Sequence, residues 1–69
     1  MIFIDLACKI PTSPIKKYVT INVESIKYFT PNGTDGAKTL LYLGSGDYLV
    51  ADGSVQDVKR KIEEAYGNN

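Results

Sequence analysis

One stretch of this chain repeats its apolar residues at full helical spacing. In Ser54–Tyr66 the residues Val55, Val58, Ile62, Ala65 and Tyr66 fall within a stripe of about 100°, the width of a core-facing helix. Nearly everything before it reads as strand and turn. One helix with one apolar stripe covers one face of a small sheet, so the pattern in the strands decides what the rest of the surface must do.

The helix is bounded by clear signals. Ser54 is the expected N-cap, with Asp57 completing a Ser-x-x-Asp capping box, and Gly67 follows where a left-handed cap belongs. Gln56, Asp57, Lys59, Arg60, Lys61, Glu63 and Glu64 make a polar face of mixed sign. Asp57–Lys61 and Lys59–Glu63 are expected ion pairs one turn apart. Asn68 and Asn69 are expected to fray.

Five strands are expected upstream. Ile2, Ile4 and Leu6 alternate with Phe3 and Asp5, which is strand period, and Pro11 and Pro14 stop that strand. Tyr18–Ile21 is a second β-branched and aromatic run. Asn22 then starts a turn through its side chain, with Val23–Ser25 as one turn of helix or 3₁₀, and Ile26–Phe29 resumes as a third strand. Thr30–Ala37 carries the turn dipeptides Asn32-Gly33 and Asp35-Gly36 and reads as a long hairpin loop. Lys38–Leu43 and Tyr48–Ala51 are the last two strands, with Ser45-Gly46 as the expected two-residue centre. That centre pairs Leu43 with Tyr48 and Leu41 with Val50 on one face, and Tyr42 with Leu49 and Leu40 with Ala51 on the other. Both faces are apolar, and a slip by one residue exchanges them without making either polar. The fold class is α+β: a small antiparallel sheet of about five strands, strongly curled or barrel-like, with one C-terminal helix. Residues 1–69 form one domain.

Composition removes several function classes. Eight basic and eight acidic residues cancel, so no net field draws nucleic acid or an anionic membrane. There is no histidine, and Cys8 is the one cysteine, which leaves no disulfide, no zinc set and no Cys-His pair. The carboxylates fall mostly in turns and on the polar helix face, where capping and solvation account for them. Gly44-Ser45-Gly46 joins strand to strand, so it is not a nucleophile elbow. Asp5 interrupts the apolar start and no basic segment precedes it, so a cytoplasmic location is expected. We expect no enzyme activity, no cofactor, no metal and no membrane partner.

Tyr18-Val19, Asn22, Ile26, Phe29, Thr39-Leu40-Leu41-Tyr42-Leu43, Gly46, Leu49-Val50, Ser54-Val55, Val58 and Ile62 follow a recognisable order. It resembles the short FlbD/SwrD family of flagellar and swarming-motility proteins and, more loosely, the strand-rich half of LytTR-type DNA-binding domains. The connection around Pro11–Lys17 is longer than the family's tight turn, and one extra residue separates Val50 from Ser54. The resemblance implies a non-enzymatic accessory protein that works by contacts.

Two functions follow as expectations. The first is a self-associating protein-interaction module, a homodimer that also contacts another protein, acting as an accessory or inhibitor protein of a bacterium, phage or plasmid. Phe3, Leu40, Tyr42 and Leu49 are its expected interface. Domains below about 70 residues rarely gain more than roughly 3–5 kcal/mol from one core, and burial between chains adds to that. The second is a nucleic-acid surface using Tyr18, Lys27, Tyr28 and Lys38, with tyrosines stacking on bases.

Overall fold

The computed structural model describes residues 1–44 and 46–67. The expected hairpin centre at Ser45 and the expected fraying of Asn68 and Asn69 lie outside the described residues. In chain order the elements are β1 (Phe3–Lys9), β2 (Lys17–Asn22), a 3₁₀ turn (Val23–Ser25), β3 (Tyr28–Asn32), β4 (Asp35–Tyr42), β5 (Tyr48–Asp52) and α1 (Val55–Gly67). The five strands form one antiparallel sheet in the order β2-β1-β5-β4-β3. The α+β class is therefore as the sequence implies. The sheet does not close into a barrel: β2 and β3 are its two edges.

The sheet is nevertheless bent. Only residues 23–27 join β2 to β3, which lie at opposite edges. A 3₁₀ turn plus the remaining extended steps reaches roughly 16 Å, whereas four flat strand spacings measure about 19 Å. The turn itself is local chemistry. Asn22 Oδ1 accepts the Glu24 N–H at 3.0 Å, and Ile26 N–H donates to Val23 O at 3.1 Å.

Strand alternation sorts the sheet into two faces. Ile4, Leu6 and Cys8 of β1, Ile21 of β2, Leu41 of β4 and Ala51 of β5 are buried and pack with Val58 of α1 as one cluster. Val19, Phe29, Leu49, Ile62 and Ala65 pack around it. The Ser54 box forms in both directions: Asp57 N–H donates to Ser54 Oγ at 3.2 Å, and Ser54 N–H donates to Asp57 Oδ2 at 3.0 Å. Tyr66 departs from the expected stripe and is 53% exposed. Among the described residues the ion pair on the polar face is Asp57–Arg60 at 3.4 Å, three residues apart where four are expected.

Two hairpins differ from their sequence reading. The β3–β4 loop is short: β3 runs to Asn32 and β4 begins at Asp35. Asn32 pairs with Asp35 and its Oδ1 accepts the Thr34 N–H at 3.1 Å, so Gly33-Thr34 is the turn, Asn32 is the last residue of β3 and Asp35-Gly36 is strand. In the β4–β5 hairpin Tyr42 pairs with Tyr48, Leu41 with Leu49 and Leu40 with Val50. Leu43 N–H donates to Asp47 O at 3.0 Å, which leaves a three-residue connection, 44–46, in place of a two-residue centre. Gly44 and Gly46 both have positive φ, 120° and 93°, so this wider turn is open to them. The register is shifted by one residue from expectation, and the composition of the two faces changes with it.

Candidate interaction surface

The shift decides which residues α1 leaves uncovered. On β4 and β5 the helix-free face carries Lys38, Leu40, Tyr42, Tyr48, Val50 and Asp52, in the pairs Lys38–Asp52, Leu40–Val50 and Tyr42–Tyr48. β3 continues these rows with Thr30 beside Leu40 and Tyr28 beside Tyr42. β1 places Lys9 beside Val50. Val50 is only 9% exposed although it lies on this face. Further along, Tyr18 lies opposite Ala7, Thr20 opposite Asp5 and Asn22 opposite Phe3.

Three tyrosines form one end of this face. The Tyr28 and Tyr42 rings stack with centroids 4.5 Å apart and 15° between planes, and the Tyr42 and Tyr48 centroids are 5.2 Å apart. The strand spacing of about 4.8 Å puts cross-strand rings at stacking distance. At the other end of β4 and β5, beyond the Leu40–Val50 pair, sits an ion cluster. Asp52 Oδ1 accepts from Lys38 Nζ at 2.8 Å, and Oδ2 lies 2.9 Å from Lys16 Nζ. The bonds to Lys38 and Lys16 hold the Asp52 carboxyl below its usual range, and the bond to Asp52 pushes Lys38 up.

The expected interface set is divided. Phe3, Leu40 and Tyr42 lie on the helix-free face, but Leu49 does not: it faces Leu41 and packs against the core. The one-residue shift is the cause. Val50 and Tyr48 take its place, and they become visible in the sequence only once the hairpin is given an odd-length connection. The nucleic-acid set is also dispersed. Tyr18 is on edge strand β2 and Tyr28 on edge strand β3, four strands apart. Lys38 is engaged by Asp52. Lys27 precedes β3, its backbone N–H donating to Tyr42 O at 2.8 Å.

The opposite face has an uncovered end of its own, which sequence reasoning missed. Beyond the helix a cavity of about 160 Å³ is lined by Cys8, Ile10, Ser13, Ile15, Val19 and Leu49, with Lys9 and Lys17. Ile10 and Ile15 are 51% and 62% exposed. The buried Cys8 thiol lies at this site, and burial followed by the charge of Asp52 pushes its pKa up. Among the described residues no group of three His, Cys, Asp or Glu side chains could hold a metal ion, and no helix is long and apolar enough to cross a membrane. No family model matches this chain, and no curated protein and no solved structure matches it either.

Proposed function

We propose that the chain is a non-enzymatic protein-interaction module that self-associates as a homodimer. In this reading it is a cytoplasmic accessory or inhibitor protein of a bacterium, phage or plasmid, of the kind the FlbD/SwrD resemblance implies. The observation that carries it is the one-sided cover of the sheet. α1 packs on the face of Leu41 and Ala51, while Phe3, Tyr18 and Tyr28 on the other face are 51%, 83% and 58% exposed. Apolar and aromatic surface of this kind, left without a layer, is what contact proteins present. Light scattering at micromolar concentration tests the reading. A mass twice that of the chain is expected, and a monomeric mass with a concentration-independent melt overturns it.

The nucleic-acid alternative has less support. A base stacks on a free ring face, but Tyr42 is flanked by Tyr28 and Tyr48. Lys16 and Lys38 are paired with Asp52, which halves the charge they offer to phosphate. Passage through heparin without retention at low salt is expected. Strong, salt-sensitive retention would restore the alternative.

A further inference from the structure

We infer that the dimer forms by antiparallel pairing of β2 with β2 of a second copy about Thr20, giving one continuous ten-stranded sheet with both helices on the same side. This rests on the self-association reading and specifies its joint.

The two sheet edges are not equivalent. β3 carries Pro31 and a register shift between Pro31 and Asn32, both of which blunt an edge against further pairing. β2 has neither. Its six residues keep unbroken register with β1, and Tyr18 and Thr20 are exposed. Tyr18-Val19-Thr20-Ile21 also has high strand preference. One adhesive edge per protomer gives a closed pair and not a fibre.

The ladder fixes the phase. Val23 N–H donates to Ile2 O at 2.9 Å, one step beyond the Phe3–Asn22 pair. Antiparallel pairs alternate between exchanging hydrogen bonds and not. Ile21, Val19 and Lys17 therefore turn their backbone groups toward β1, and Tyr18, Thr20 and Asn22 turn theirs outward. A second β2 must match these outward residues with its own. Centred on Thr20, the pairing sets Thr20 against Thr20 and Tyr18 against Asn22 at each end, so the Thr20 N–H and C=O pair across the joint and the Tyr18 C=O accepts the Asn22 N–H, while the Asn22 C=O is shared with the 3₁₀ turn that it caps. All three side chains belong to the helix-free face, so this phase keeps the two helices on one side.

Side chains agree with that register. Val19 falls beside Ile21 of the second copy on the helix side. Tyr18 falls beside Asn22, whose neighbour across β1 is Phe3, so the two most exposed rings of this end of the face enter one row. Charge is complementary as well. β2 is entered through Lys17, next to the Asp52-bound Lys16, and left through the exposed Glu24, and the antiparallel pairing brings the Lys17 end of each strand alongside the opposing Glu24.

Thr20→Pro tests the joint, because it removes an N–H that the dimer uses and the protomer does not. A monomeric mass with a retained cooperative melt is expected, while Tyr42→Asp stays dimeric. Glu24→Lys is expected to raise the dimer dissociation constant about tenfold at low salt. Should Thr20→Pro fail to fold, amide exchange of the wild-type chain decides: the Tyr18, Thr20 and Asn22 amides should slow as concentration rises. A dimer that survives Thr20→Pro, or exchange at these amides that ignores concentration in a chain of dimeric mass, overturns the β2 joint and leaves self-association standing. A wild-type monomer overturns both.

Discussion

Lys38 and Asp52 face each other across the β4–β5 pair, and the Lys38 ammonium donates to Asp52 Oδ1 at 2.8 Å while Lys16 holds the other carboxylate oxygen. One carboxylate thus separates two ammonium groups. Asp52→Ala should leave Lys16 and Lys38 in mutual repulsion, lowering the melting temperature more at low salt than at high salt. Equal losses at both salt concentrations would mean that packing, not charge, is affected.

The same carboxyl sets an acid limit. Asp52 is held low by its bonds to Lys38 and Lys16, and Asp57 by the Ser54 backbone N–H and then the Ser54 hydroxyl. A carboxyl whose folded pKa is depressed contributes stability above its unfolded pKa and loses it as pH falls through the folded one. Stability should therefore be flat between about pH 5 and 8, decline below about pH 4, and fall again at alkaline pH, where the raised Cys8 and Lys38 groups lose their protons. Asp57→Asn should reduce the slope of that decline, read from denaturation midpoints between pH 2 and 6.

The helix start is held by the Ser54–Asp57 box. Ser54→Ala should cost about 1 kcal/mol of unfolding free energy, measured by urea denaturation with an unchanged m value. An unmoved midpoint would place the functional cap elsewhere.

Just before that cap, Gly53 has φ +105°, and its carbonyl accepts the hydroxyl of the fully buried Thr39 at 2.9 Å. A Cβ at this position would lie 3.3 Å from Asp57 Cβ. Gly53→Ala should cost roughly 1–3 kcal/mol from backbone strain. Thr39→Val, which leaves the Gly53 carbonyl without its donor, should cost about 1–2 kcal/mol. Because Thr39 bonds the Gly53 carbonyl directly, the two sites are coupled and the double variant should depart from the sum of the single costs.

Leu40 and Leu41 are neighbours in sequence and opposites in setting. Leu41 is fully buried against the helix side, and Leu40 is half-buried on the helix-free face. Leu41→Ala should cost about 3–5 kcal/mol, near the upper part of the range for core truncation. Leu40→Ala should cost under about 2 kcal/mol. Similar losses at both would contradict the burial of the Leu41 face of β4 beneath the helix.

How much of this was legible beforehand varied with how local the signal is. The Ser54 cap, the Asn22 turn and the start of α1 depend on residues within a few positions of one another, and they stand where the sequence sets them, whereas Gly67, expected as a left-handed cap, is the last residue of α1 without a positive φ. The β3–β4 turn is half legible: Asn32-Gly33 and Asp35-Gly36 both read as turn dipeptides, but the turn is Gly33-Thr34, with Asn32 and Asp35 paired as the last and first strand residues. The β4–β5 register was not legible. Leu40, Leu41, Tyr42, Leu49 and Val50 suit either face, so no apolar–polar contrast penalises a slip. The sequence therefore places Leu49 at the interface, where the structure has Val50 and Tyr48.

The connection at 44–46 therefore carries information that the strands on either side do not. Removing one residue from it would turn β5 over relative to β4, sending Tyr48 and Val50 toward the helix and Leu49 and Ala51 toward solvent, with no change to any strand residue. Which side of the molecule is interior and which is offered to the outside is encoded here as a length, so an insertion or deletion in this turn would act as a change of identity for the whole sheet, where a substitution would be a local event.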